Sequence, residues 1–319
     1  MAILAGIDEA GFGPILGPLM VSSSVFRVPD NLIWADFWKI LSKSVSAKRA
    51  NLTGRLLIAD SKKAYVRQQG LGRLARTVLA ILKYLGKEPD DLTSLLSVLC
   101  PDCIAHIREY PWYKKIDQYK IESDAASIAI AVSMLKKDLA DNNIDLLGLS
   151  SKCIEVAYYN KLVLAVNNKS KVLFTAVASL IQETIDKFKN EDIEIVTDRQ
   201  GGRCHYRPEL QLMFTDAKLR IIHEDNDRSS YELQQDARKI RLHFIVGADD
   251  KYLPVSLASM ACKYIRELLV DNINKYFLAM NAQIKPTAGY WKDGSRFIAD
   301  IKTYIPDLKY NANQLIRCR

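Results

Sequence analysis

Carboxylates recur in this chain at one kind of place. Asp8 and Glu9 close an apolar run from Ala2 to Ile7 and stand just before a turn built from Gly11, Gly13 and Pro14. Asp198 ends the run Ile193-Glu194-Ile195-Val196-Thr197 and is trailed by Gly201, Gly202 and Arg203. Asp249 follows the apolar stretch from His243 to Gly247 and precedes a helical pattern. Each acid thus sits at a strand end, where α/β folds commonly carry their chemistry. Acids gathered at one point repel unless cations compensate, and hard divalent ions with oxygen ligands do this well. A Mg²⁺ or Mn²⁺ site follows, and two such ions about 3.5 to 4 Å apart can activate a water and stabilise the leaving oxygen of a phosphodiester. Glu194, inside its strand, and Asp250 read instead as a helix cap or a surface charge.

Basic groups accompany the acids. Asp60-Ser61-Lys62-Lys63 opens a helical pattern in which Asp60 or Ser61 can cap, while the first amides and both lysines can hold a phosphate. The same letters also suit a merely solvated helix start. Ser259 and Lys263 lie one helical turn apart and share a face, but no oxyanion loop accompanies them, so a Ser-Lys hydrolase dyad is disfavoured. Cys100 and Cys103 form a C-x-x-C with His106 nearby, and no second such pair completes a zinc set. All six cysteines read as reduced thiols.

These residues need a scaffold. The chain has 319 residues, 49% hydrophobic and 26% charged, ordinary for a globular protein able to bury a sizeable core. Its 45 basic against 37 acidic side chains leave a net charge of +8, which favours nucleic acid as a partner. No stretch reaches the roughly 18 apolar residues of a membrane span, and the first residues lack a secretory pattern. The expectation is a cytoplasmic, non-membrane protein. Periodicity predicts strands at Ala2 to Ile7, Leu19 to Phe26, Ile154 to Tyr159, Ile193 to Thr197, Leu219 to His223 and Leu242 to Val246. It predicts helices at Leu32 to Leu41, Tyr65 to Leu85, Ala125 to Leu139, Val172 to Phe188 and Leu253 to Tyr276, and a mixed tail from Arg296 to Arg319. The alternation gives an α/β fold, one domain over residues 1–319, with 89–145 read as a helical insertion.

Three blocks are more particular than any periodicity: GIDEAGFGPILGPL at 6–19, ADSKKAYVRQ at 59–68 and GADDKYLPVSLASMACKYIRE at 247–267. In sequence and order they resemble type 2 ribonuclease H, ribonuclease HII. The hallmarks there are a Gly-Ile-Asp-Glu-Ala-Gly-Arg-Gly-Pro opening, an Asp-Ser-Lys-Lys helix start and an Ala-Ser-x-x-x-Lys-x-x-Arg helix. The blocks cover well under half the chain. The resemblance implies a ribonuclease H-like fold, a central mixed β-sheet flanked by helices. It implies that Asp8, Glu9, Asp198 and Asp249 bind two Mg²⁺ or Mn²⁺ ions, with Asp249 selected over Asp250 by aligning the last block on Ala258-Ser259 and Lys263. Lys62, Lys63, Ser259 and Lys263 then lie near the substrate backbone or support the site. The implied reaction is hydrolysis of the RNA strand of an RNA/DNA hybrid, or of DNA with embedded ribonucleotides, by a monomer.

Three departures bear on the substrate. Where the family has Gly-Arg-Gly to read a ribose 2'-hydroxyl, this chain has Gly11-Phe12-Gly13, so an aromatic face replaces a guanidinium while the amides can still approach. Lys285 stands where the family has the tyrosine that packs at an RNA-to-DNA junction, with Tyr290 and Trp291 nearby. Arg199 follows Asp198 in place of a glycine, and Arg203 is assigned a phosphate contact. The alternatives are a nuclease of the same fold with another nucleic-acid substrate, and a non-catalytic nucleic-acid-binding protein. An ATPase of related topology lacks the expected phosphate loop.

Overall fold

The computed structural model describes residues 1–65, 70–235 and 238–318, with Gln235 described in its backbone only. Nine strands run in chain order among them: β1 Ala2–Ala10, β2 Leu19–Val28, β3 Val45–Ser46, β4 Leu56–Leu57, β5 Asp145–Ile154, β6 Ile193–Asp198, β7 Lys218–Glu224, β8 Arg228–Gln235 and β9 Arg238–Ile245. Seven form one sheet, ordered β5-β2-β1-β6-β9-β8-β7, and β3 pairs with β4 separately. β1 runs antiparallel to β2 and parallel to β6, which is parallel to β9; β5, β8 and β7 add antiparallel partners. The chain therefore adopts the expected α/β class, a central mixed sheet flanked by helices.

The helices are α1 Phe37–Ile40, α2 Ser61–Ala64, α3 Gly72–Tyr84, α4 Leu92–Leu99, α5 Ile104–Ile107, α6 Ala125–Asp141, α7 Val156–Val166, α8 Lys169–Lys187, α9 Arg207–Met213, α10 Ala248–Lys251, α11 Leu253–Met280, α12 Trp291–Tyr304 and α13 Ala312–Leu315. Side chains alternate across β1, so its two faces feed two cores. Leu4 joins a core with α3, α4, α6 and α11, whereas Ile3, Ala5 and Ile7 pack on α7 and α8. Within 89–145, Leu92, Leu96, Leu135 and Leu139 bury into the first of these cores. None of the described helices is long and apolar enough to cross a membrane.

Several local expectations change. No continuous helix spans Leu32 to Leu41: a 3-10 turn covers Asp30–Leu32, and the Asp36 carboxylate then captures the amides of Trp38 and Lys39 to start α1 afresh. Of the helix expected from Tyr65 to Leu85, α3 occupies Gly72–Tyr84, and residues 66–69 lie outside the described residues. The segment Ile154 to Tyr159 is not a strand. β5 ends at Ile154, and Val156, Tyr159, Asn160 and Val163 are buried at helical spacing on α7. β8, unforeseen, puts Tyr231 and Leu233 into the second core, with Ser229, Ser230 and Glu232 buried beside them.

Candidate active site

The parallel register brings the acids together. Ile7 pairs with Thr197, and Asp198 with Ile245, so the strand ends carrying Asp8, Asp198 and the approach to Asp249 finish at one end of the sheet. Gly247, in the left-handed region at φ +62°, then turns the chain into α10, where the Ala248 amide donates to the Asp198 carboxylate at 2.7 Å. Behind them α11 presses on β1. Asp8 is buried, its own carboxylate accepting the Glu9 amide at 2.7 Å, and the Cys262 thiol donates to the Asp8 carbonyl at 3.2 Å. Asp249 is also buried, with its carbonyl held by the Ser256 hydroxyl.

The four acids interact electrostatically. Burial first, then Glu9, Asp198 and Asp249, push Asp8 well above the ordinary carboxylate range. Glu9 is pushed up to about 8 by burial and then by Asp198, while Lys62 draws it down. Asp249 rises to about 7 through burial, Asp198 and Asp60. Asp198 rises as well, again through burial, although the Ala248 amide and Lys62 oppose it. Among the described residues, no three His, Cys, Asp or Glu side chains form a group ready to hold a metal ion. The donor chemistry nonetheless fits a hard divalent cation: the ligands offered are all carboxylate oxygens, and Glu9 Oε2 is buried without a hydrogen-bond partner.

The basic residues divide into two sets. Lys62 faces the acids: burial lowers its pKa, yet Asp60, Asp249, Asp8 and Asp198 together hold it above the ordinary lysine value. Lys63 turns away to Asp250 at 2.6 Å, an exposed pair that agrees with the surface reading of Asp250. Lys263 pairs with Glu267 at 2.7 Å and lies over the Tyr65 ring. The hydroxyls of Ser259 and Ser61 share a hydrogen bond at 3.0 Å, joining α11 to α2, and Ser259 draws Asp8 downward. Arg203 is held by Glu209 at 2.6 Å beside the rings of Phe174 and Tyr206. Arg199 bonds the carbonyls of Asn226 and Gly202.

The glycine loop rests on a buried arginine. Gly11 has φ +91°, and a Cβ there would meet Arg266 Nε at 2.6 Å. Arg266 is buried and bonds the carbonyls of Leu16 and Ala288. Phe12 is half-buried with the Lys169 ammonium 5.1 Å from its ring centre, and Gly13 is exposed. The Gly289 carbonyl accepts from Ile15 and Leu16, which brings the exposed Tyr290 beside this loop and over Arg266, whereas Lys285 is exposed next to Asp300.

Two residues were misread or missed. Glu194 is neither cap nor surface charge: it is buried, bound to Arg241 at 2.7 Å and His243 at 2.8 Å across β6 and β9. Asp60 does cap α2, accepting from the Lys62 amide at 2.9 Å, but it is also buried and is a fifth acid at the site, raising Asp249.

No protein-family model and no curated protein sequence matches the chain. Solved structures similar to it include the ribonuclease HII of Archaeoglobus fulgidus, determined as a complex with PCNA, at 16% identity and a TM-score of 0.47 over 99% of this chain and 94% of that one. The ribonuclease H3 of Aquifex aeolicus is 15% identical, with a TM-score of 0.40 over 98% of this chain and 71% of that one. The ribonuclease H2 of Pyrococcus horikoshii is 12% identical, with a TM-score of 0.40 over 98% of this chain and 92% of that one.

Proposed function

We propose that the chain is a metal-dependent endonuclease of the ribonuclease HII type, hydrolysing the RNA strand of RNA/DNA hybrids. The observation that carries this reading is the convergence of Asp8, Glu9, Asp198 and Asp249 from three separate segments onto one end of the sheet, where burial makes each hold protons more tightly and Asp198 adds to the effect on the other three. The mixed sheet flanked by helices agrees with the ribonuclease H-like fold that the three sequence blocks imply. Asp8, Glu9, Asp198 and Asp249 would hold two Mg²⁺ or Mn²⁺ ions. Bound there, such ions supply an activated water and neutralise charge on the leaving oxygen.

The chain's own residues do the rest. Lys62 offers an ammonium to a phosphate at the rim of the acids, because no single carboxylate claims it. The amides of Gly11 and Gly13 and the Phe12 face meet the sugar edge of the RNA strand, with Lys169 beside them. Ser259 steadies Asp8 and the start of α2 at once. Lys63, Lys263 and Arg203 reach a backbone only by exchanging Asp250, Glu267 and Glu209 for phosphate.

A second reading, another nucleic-acid substrate on the same site, is favoured by Phe12 and Lys285 standing at the two positions that read RNA in the family. Labelled duplexes carrying an RNA strand, a single ribonucleotide or DNA alone, incubated with Mg²⁺ or Mn²⁺, separate the two. Cleavage confined to the RNA strand and abolished in Asp8→Asn supports the first reading. Cleavage of the all-DNA duplex supports the second, and salt-sensitive binding without any cleavage removes the enzyme altogether.

A further inference from the structure

Away from the acids, three thiols meet. α4 ends at Cys100, and the 3-10 turn Pro101–Cys103 bends Cys103 back until the two sulfurs are 3.6 Å apart. β5 brings Cys153 to the same pair, in hydrogen-bond contact with Cys103. All three line a cavity of about 610 Å³, together with His106, Glu155 and Tyr110. A space of that size admits small solutes freely. Cys100 and Cys103 are only 2% and 3% exposed, so a large reagent cannot reach them although a small one in the cavity can. All six cysteines are free thiols.

We propose that Cys103 is a peroxide-reactive cysteine, with Cys100 as the thiol that resolves it to a disulfide. Contact with Cys100 and then Cys153, opposed by burial, pulls the Cys103 thiol down to about 5, which favours its thiolate, the nucleophilic form. That sulfur attacks one oxygen of hydrogen peroxide; the O–O bond breaks, the departing oxygen takes up a proton and leaves as water, and the sulfur, two electrons poorer, becomes a sulfenic acid. The Cys100 sulfur then attacks the sulfenic sulfur. The S–S bond forms as the S–O bond breaks, and hydroxide leaves with the Cys100 proton as a second water. The sulfurs need close only the gap from 3.6 Å to bonding distance, within one turn.

The test treats the full chain with less than one equivalent of hydrogen peroxide, then quenches, denatures, alkylates and digests it with trypsin. Residues 88–108 form one tryptic peptide containing Cys100 and Cys103, and 153–161 form another containing Cys153. The expected result is that peptide 88–108 escapes alkylation first and is lighter by two hydrogens, ahead of the peptides carrying the more exposed Cys204 and Cys318. In Cys100→Ser, dimedone captures a sulfenic acid on Cys103 or the peptide appears joined to 153–161. Oxidation of Cys204 or Cys318 while 88–108 stays fully alkylated overturns the proposal, as does an unchanged rate of peroxide consumption in Cys103→Ser.

Discussion

Gly6 of β1 and Pro254 of α11 touch backbone to backbone: a Cβ on Gly6 would lie 2.2 Å from the Pro254 carbonyl carbon. Nothing separates strand from helix there. Asp8, two residues along the same strand face, is thereby set against Cys262 and Ser259 of the helix, and the turn bearing Asp249 is drawn to the end of the sheet.

Gly6→Ala is therefore a strongly disruptive substitution despite its small size. It should destabilise by about 3 kcal/mol, because strand and helix must part to admit a methyl group. Urea unfolding monitored by circular dichroism checks this, with Gly13→Ala, where a Cβ meets open space, as the comparison.

Glu194 anchors Arg241 and the buried His243. Glu194→Gln removes the buried carboxylate that joins His243 to Arg241, which keeps Glu232, and should cost about 2 kcal/mol. Arg220→Ala, which removes an exposed guanidinium from Glu232 while Arg241 stays on that carboxylate, should cost less than about 1 kcal/mol. Equal midpoint shifts in the two variants would contradict this ranking.

Lys62 and Lys63 are neighbours with opposite roles. Lys62→Ala should weaken hybrid binding about tenfold at low salt and flatten its salt dependence, whereas Lys63→Ala, which removes only a surface pair with Asp250, should change it little. Filter binding across a salt series distinguishes them.

Stability should depend on pH in a direction set by the acids. Glu9 at about 8 and Asp249 at about 7 stand above their ordinary values of 4.5 and 3.8, so the folded chain binds more protons than the unfolded one in between. Their contribution is fully present below the unfolded values and is lost as pH rises through the folded ones. With a chelator present, Tm should fall from about pH 5 to about pH 8, and saturating Mg²⁺ should flatten that slope.

The acids were legible from sequence because each one interrupts an apolar run at a glycine-bearing turn, a local pattern. β8 was not: Arg228-Ser-Ser-Tyr-Glu-Leu-Gln-Gln looks polar, and Ser230 and Glu232 are buried beside Tyr231 and Leu233 only because His243 and Arg241 of β9 satisfy them. β5 was hidden in the same way by Gly148, Ser150, Ser151 and Lys152, polar in letters yet paired along β2. Asp60 and Cys153 acquire their roles through partners far off in sequence, Asp249 and Cys103, so no window around either residue could announce them.

Whether the acids chelate cations as a set is measured most directly by Mn²⁺ titration, read by calorimetry and by electron paramagnetic resonance of the bound ion. Two ions per chain should bind, at least one of them lost in Asp8→Asn and in Asp249→Asn while circular dichroism stays that of the unaltered chain. Binding with the same stoichiometry and affinity in both variants, or no binding at millimolar Mn²⁺, would contradict the account.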